Sequence, residues 1–289
     1  MNSFLMRMAL GALCALCALS VCGQTAGPAP EDARAIMRRS VQADNRNEAI
    51  RSQYTYKVFN VEHDLNDAGK VTATHSSLAE VLYIGRQGFR QLLEKDGKPL
   101  PADEAAKARA RFDKAVKEAS NLNPQERKAR ADRAAASRTK RREQLQYIPD
   151  AFDFRLLGET VIDGRAAWQI QASPRRDYKG PQANVYRNME GTLWIDKKDY
   201  QWVKVEADAL DTVSFGWFLA RIAKGTAVQF ENVRVNDEMW APKHVTLRAS
   251  VRLALVKKLH SEQETTYSDY RKFQTDSRMV ATEAEPAQP

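Results

Sequence analysis

"GTLWIDKKDYQWVKVEAD", residues 191–208, decides the fold. Asp196, Lys197, Lys198 and Asp199 form a polar cluster between two stretches rich in β-branched and aromatic residues, the pattern of a turn joining two strands. Thr192 to Ile195 and Tyr200 to Ala207 therefore read as antiparallel partners. Strict alternation in the second strand puts Tyr200, Trp202, Lys204, Glu206 and Asp208 on one side, and Gln201, Val203, Val205, Ala207 and Ala209 on the other. No nucleophile stands beside a base here, so the stretch reads as a half-buried hairpin whose role is set by the sheet it belongs to.

The rest of that sheet is legible on both sides. Downstream, "TAVQFENVRVNDEMWAPKHVTLRASVRLALVKKLHSEQETTYSDYRKF" gives three or four long strands, one with an apolar face of Val245, Leu247, Ala249, Val251, Leu253 and Leu255. "SFGWFLARIAKG" between them reads as a short apolar helix or turn. Upstream, "FDFRLLGETVIDGRAAWQIQASP" is a hairpin around Asp163-Gly164, and "SQYTYKVFNVEHDL", "SSLAEVLYIG" and "GFRQLLE" form a meander turning at "NDAGK". Before the meander, "PEDARAIMRRSVQADNRN" spaces Ala33, Ile36, Met37 and Val41 as an amphipathic helix of about four turns.

From Asp103 the character changes. About forty residues rich in Ala, Lys, Arg and Glu form two helices split at "SNLNPQE", with Asn123 as N-cap and Pro124 at the first helical position. Residues 103–143 hold 13 Lys/Arg against 7 Asp/Glu, a surplus of six, within a chain whose formal net charge is +8. The order helix, strands, helical hairpin, strands implies an α+β fold on one large antiparallel sheet.

The N-terminus speaks to compartment. "MNSFLMRMALGALCALCALSVCGQ" carries one positive charge at Arg7, an apolar run of about 14 residues and small residues after it, the layout of a secretory signal peptide. Val21 and Gly23 suit cleavage before Gln24, so residues 1–23 are expected to be removed; lipid anchoring through Cys22 is the rival reading. All three cysteines, Cys14, Cys17 and Cys22, fall in this segment, so the expected mature chain has no disulfide, thiolate site or cysteine nucleophile. A single domain over 24–280 is expected, with 103–146 as a basic helical insertion and 281–289 as a disordered tail.

Catalytic signatures are missing: there is no phosphate loop, GxSxG elbow or metalloprotease spacing, and His63, His75, His244 and His260 lie in separate strands. The pairs Asp208/Asp211 and Asp150/Asp153 suit turns or strand ends. The reading is therefore no enzyme, no metal and no cofactor. The basic hairpin lacks the interleaved aromatics of a nucleic-acid surface, so Arg138, Lys140, Arg141 and Arg142 are candidates for docking on an anionic membrane or an acidic partner. Aromatic and apolar residues give the better lead: Trp168, Trp194, Phe215, Trp217, Phe218, Ile222, Phe230, Trp240, Leu247 and Val251 either pack the core or line an apolar cavity.

An exported chain with this element order, a strand of the form G-x-L-W-I-D (191–196) and a charged V-x-V-E strand (203–206) resembles the bacterial outer-membrane lipoprotein-sorting superfamily, LolA/LolB-like; "FGWFLARIAKGT", "VNDEMWAPKHV" and "YSDYRKFQ" resemble an uncharacterised branch of it. The resemblance implies an incomplete barrel of about eleven strands whose concave apolar face, covered or flanked by helices, holds acyl chains. It further implies a periplasmic monomer that takes lipidated protein or lipid from an inner-membrane donor and passes it toward the outer membrane without bond chemistry. The alternative it implies is a periplasmic sensor that binds a protein partner in response to lipid.

Overall fold

The structure, a computed structural model, describes residues 32–51, 53–84, 87–215, 220–253 and 257–272. In chain order the elements are α1 (Ala33–Arg51), β1 (Tyr54–Leu65), β2 (Val71–Ile84), β3 (Gln87–Lys95), β4 (Lys98–Pro99), α2 (Ala102–Asn121), α3 (Pro124–Gln146) and α4 (Ile148–Ala151). Then come β5 (Phe152–Ile162), β6 (Arg165–Pro174), α5 (Ala183–Tyr186), β7 (Met189–Asp196), β8 (Trp202–Ala209), β9 (Val213–Phe215), β10 (Ala220–Ile222), β11 (Ala227–Val235), β12 (Met239–Leu253) and β13 (Lys257–Lys272).

All the described strands join one antiparallel sheet, in the order β4-β3-β2-β1-β13-β12-β11-β8-β7-β6-β5, with β10 paired to the end of β12 and β9 to β10. The first and last described strands are neighbours, since β1 pairs β13 from Tyr54↔Lys272 to Leu65↔His260. The two edges are β4 and β5, and the helices between them in sequence, α2 to α4, connect one edge to the other. The result is an α+β incomplete barrel, a curved open sheet with helices.

Local chemistry explains where the chain turns. Asp163 and Gly164 both take positive φ, 48° and 76°, as a two-residue hairpin with primed-turn geometry demands. Asn66 closes the β1–β2 turn by accepting the amides of Ala68 and Lys70, each at 3.0 Å. Asn123 caps α3 with a complete capping box, its side chain accepting from the Glu126 amide at 2.9 Å while Glu126 accepts from the Asn123 amide at 2.9 Å.

Three expectations are corrected. The first helix is longer than the expected four or so turns, running Ala33–Arg51, 19 residues, and its C-terminal part is tied to the sheet: Asn47 clamps the Trp240 backbone by bonds of 2.6 and 2.7 Å. In "SFGWFLARIAKG", read as a short apolar helix or turn, the described residues on either side are strands: β9 and β10 pair antiparallel (Phe215↔Ala220, Val213↔Ile222), while residues 216–219 lie outside the described residues. Finally, strict alternation fails in the opening stretch. Tyr200 has φ +56° and belongs to the turn. Trp194 pairs Lys204 while Ile195 pairs Trp202, so β8 carries one extra residue, Val203, and this bulge puts Trp202 on the same side as Val205.

The core lies under α1. Ala33, Ile36 and Met37 pack on Phe152, Trp168, Ile170, Leu193 and Ile195 from β5, β6 and β7. Trp202 completes the contact, its indole Nε1 donating to Ser40 Oγ at 2.9 Å, while Ser40 donates to the Met37 carbonyl at 2.8 Å. Arg34 and Arg38 pair with Asp153 (3.2 Å) and Asp150 (3.8 Å), fixing the aspartates of "PDAFDF" as links to the helix. A second cluster joins Tyr54, Met239 and Ala241 with Ile50 at the other end of α1. The helical hairpin sits more lightly: α2 buries no residue fully and meets the sheet through Phe112 against Phe89, ring centroids 5.3 Å apart. No described helix is long and apolar enough to cross a membrane.

Candidate functional site

Residues directly opposite in an antiparallel pair share a face, so the registers trace side chains across the sheet. One row runs Leu156, Ile170, Leu193, Val205, Phe230, Val245, and the next runs Phe154, Ala172, Gly191, Ala207, Val228, Leu247. Ile170 and Leu193 belong to the cluster under α1, so both rows lie on the α1 face. The cover is uneven. Ile170 is fully buried and Leu193 is 6% exposed, whereas Val205, Ala207, Val228, Phe230, Val245 and Leu247 are only half-buried. Six neighbouring strands thus present a continuous apolar face that α1 covers completely at one end and partly at the other.

Gly191 is set by this packing. A Cβ at that position would stand 2.4 Å from the Glu206 carbonyl oxygen and 3.2 Å from Ala207 Cα, so only glycine lets β7 approach β8 so closely.

Beyond β12 the same face changes character. Val245 is opposite Thr265, then Asn60, then Ser77; Leu247 is opposite Gln263, then Glu62, then His75. Thr265 Oγ1 and Gln263 Nε2 both donate to Asn60 Oδ1, at 2.8 and 2.6 Å. Farther along β1 and β2 the face becomes aromatic. Tyr56 stacks at 5.3 Å on Tyr270 and 6.1 Å from Tyr267, and burial, reinforced by Tyr83 and Tyr267, pushes its phenol up to about 12. Such a phenol stays protonated near neutrality and offers no base.

A charged network closes the end of the hairpin "DKKDY". The Asp196 carboxylate, 1% exposed, accepts Arg165 Nε at 2.7 Å and Arg165 Nη2 at 2.9 Å, with the Lys198 and Asp199 amides at 3.0 and 2.6 Å. Burial alone pushes this carboxyl up. Hydrogen bonds from Arg165 and from the two amides, with the guanidinium charge, more than offset it, and the net displacement is downward. Asp199 accepts from Arg165, Arg234 and the Trp240 indole. Both of these carboxylates are engaged, which suits a structural clamp.

These surroundings place the sequence-derived candidates. Phe230 and Leu247 lie on the half-buried apolar face. Trp168 is buried in the core, 5.2 Å from the Tyr200 ring and capped by Lys197 at 5.5 Å. Trp194 alternates with Leu193 and Ile195 and stands on the opposite face, where Lys204 Nζ lies 4.9 Å from its ring. Trp240 belongs to the charged network, with Asp199 at 3.0 Å and the Arg165 guanidinium 5.4 Å from its ring. Ile222 and Val251 are opposite in register and Phe215 ends β9, but the side chains of all three are outside the described residues, as are Trp217 and Phe218 altogether. Arg138, Lys140, Arg141 and Arg142 fall on α3, their side chains likewise outside the described residues.

Sequence reasoning put Val205 and Ala207 on one apolar side of their strand but did not join them to Val228 and Phe230, because that neighbourhood comes from the β8–β11 pairing. It also missed Asn60, Gln263 and Thr265, since a polar residue in a strand carries no sign of pointing inward. Among the described residues no group of three His, Cys, Asp or Glu could hold a metal ion.

No family model matches the sequence, and no curated protein does. Among solved structures, the chain is similar to a DUF1329 family protein from Desulfovibrio piger, at 12% identity and a TM-score of 0.34 over 85% of this chain and 95% of that one. It is similar to a LolA superfamily protein from Nitrosomonas europaea, at 11% identity and 0.32 over 84% and 94%. It is also similar to an outer membrane lipoprotein-sorting protein domain from Vibrio parahaemolyticus, at 11% and 0.31 over 84% and 95%. At these scores and identities the likeness carries no functional weight.

Proposed function

We propose that the protein is a periplasmic carrier that holds an acyl chain of a lipid or lipidated protein on the α1 face and hands it toward the outer membrane without bond chemistry. The observation that carries this reading is the half-buried apolar surface formed by Val205, Phe230, Val245 and Leu247 beyond full cover by α1. A chain laid there gains about 0.8 kcal/mol for each methylene removed from water. In this reading residues 1–23 direct export and are cleaved before Gln24, residues 24–280 act as one domain, and the basic pair α2–α3 docks the carrier reversibly on an anionic membrane surface. The test is native mass spectrometry, with lipid extraction, of protein purified from its own periplasm. Co-purified acyl-containing species support the carrier. A stoichiometric protein partner without lipid overturns it in favour of a sensor of the same fold, and turnover of a small substrate overturns both.

A further inference from the structure

The apolar rows of the α1 face end sharply at the β12–β13 boundary, and what begins there is one-sided in charge. Glu62 stands opposite both Gln263 and His75 in register, two positions from Asn60 along β1. Its side chain is half-buried, and among the described residues neither a hydrogen bond nor an ion pair reaches its carboxylate. A carboxylate partly withdrawn from water without a partner is destabilising, and an ammonium brought beside it offsets that penalty. The neighbouring groups do not supply one. His75 lies 3.9 Å from Asp64 and from Asp96, and Asp64 adds a second negative charge two residues along the same strand. Lys95, opposite Ser77 one row away, is exposed. Gln263, opposite Glu62 in register, gives an amide hydrogen to Asn60 at 2.6 Å, which leaves its carbonyl oxygen as a further acceptor at this position of the sheet.

We infer that this boundary is a headgroup subsite, and that the ligand of the α1 face is an amphiphile bearing a primary ammonium: its chain lies over β8, β11 and β12, and its N–H donors go to Glu62 and Gln263. The inference rests on the acyl-carrier reading. Three acceptors, the two Glu62 oxygens and Gln263 Oε1, match the three hydrogens of an ammonium. An anionic headgroup meets Glu62 and Asp64 and is disfavoured.

Isothermal titration with dodecylammonium, dodecanol and dodecanoate, each below its micellar concentration, separates chain from headgroup. Dodecylammonium is expected to bind at least tenfold tighter than dodecanol, and dodecanoate weakest. Glu62→Gln should reduce the ammonium to the alcohol's affinity and leave dodecanol unchanged. Dodecyltrimethylammonium, which keeps the charge without N–H donors, should bind the unaltered protein more weakly than dodecylammonium, a comparison that stands even where the variant does not fold. If dodecanol binds but the ammonium gains nothing, if its advantage survives Glu62→Gln, or if trimethylation has no effect, the subsite is wrong while the carrier reading stands. If none of the twelve-carbon chains binds, both are wrong.

Discussion

Arg165, the first residue of β6, holds the carboxylate of Asp196, the last residue of β7, through two hydrogen bonds of 2.7 and 2.9 Å across 31 residues of chain. The pair locks two neighbouring hairpins at the same end of the sheet, and through Asp199 it reaches Arg234 on β11 and Trp240 on β12. The turn that looks like mere polar punctuation in the sequence is a clamp on four strands.

Removing the Asp196 charge is therefore expected to be strongly destabilising. Asp196→Asn leaves Arg165 without its bidentate partner in a site where the aspartate is 1% exposed, and should lower stability by about 3 kcal/mol. Arg165 is itself 26% exposed, so water moderates the loss. Because the folded state holds the Asp196 carboxyl below its ordinary range, the contribution is complete above the unfolded value near 4 and is lost as pH falls through the folded value. Urea titrations from pH 6 to 2 should show the unaltered protein losing stability over that acid range more steeply than the Asn variant. Parallel curves would mean that Asp196 does not drive the acid limb.

Gly191→Ala tests the close approach of β7 and β8. The added methyl meets the Glu206 carbonyl oxygen at 2.4 Å, a backbone atom that cannot rotate away, so the strands must part. A loss of about 1–3 kcal/mol is expected, read as an earlier unfolding midpoint. An unchanged midpoint would show that the hairpin relaxes without penalty.

The Ser40–Trp202 hydrogen bond tests the bulge. Ser40→Ala strands a part-buried indole N–H and should cost about 1–3 kcal/mol, whereas the added cost of Trp202→Phe should be smaller in the Ser40→Ala background than in the wild type, since the donor there is already unpartnered. Additive losses in the four-member cycle would place Trp202 away from α1, on the side that strict alternation gives it.

The fates of Trp202 and Asn123 show what the sequence could carry. The capping box at Asn123 is local, written within four residues, and its helix boundary is legible directly. The side on which Trp202 stands depends on one extra residue at Val203, whose signal lies only in the pairing with β7. Alternation keeps Val205 and Ala207 together on the apolar side but turns Trp202 away from them, and their neighbours Phe230 and Val228 follow only from the β8–β11 register. Asn60 and Glu62 escape such a reading for a different reason: their surroundings come from Gln263 and Thr265, some 200 residues away, and nothing near them in sequence distinguishes an inward polar strand residue from an outward one.

The basic hairpin supplies the last test. Its surplus of six positive charges over residues 103–143 stands after all seven of its carboxylates are counted, so the pairs Lys107–Asp103, Lys114–Glu118 and Lys128–Asp132 leave it undiminished. These are solvent-exposed i,i+4 pairs, screened by water, so they neutralise locally without contributing much to the fold. α2 rests on the sheet through Phe112 and Phe89, and α3 is linked to α5 by the Tyr186 hydroxyl donating to the Gln144 carbonyl at 2.7 Å, contacts that use none of Arg138, Lys140, Arg141 or Arg142. Near an anionic surface each such charge is worth on the order of 1 kcal/mol, fading beyond a Debye length of about 8 Å at physiological ionic strength. Replacing the four with Gln should thus leave thermal unfolding within a degree or two, while sedimentation with vesicles containing anionic lipid weakens by roughly tenfold or more at low salt. The difference between the two proteins should shrink as salt rises. If the variant unfolds several degrees earlier and binds vesicles as the unaltered protein does, those charges serve the packing of α3 and the docking surface lies elsewhere.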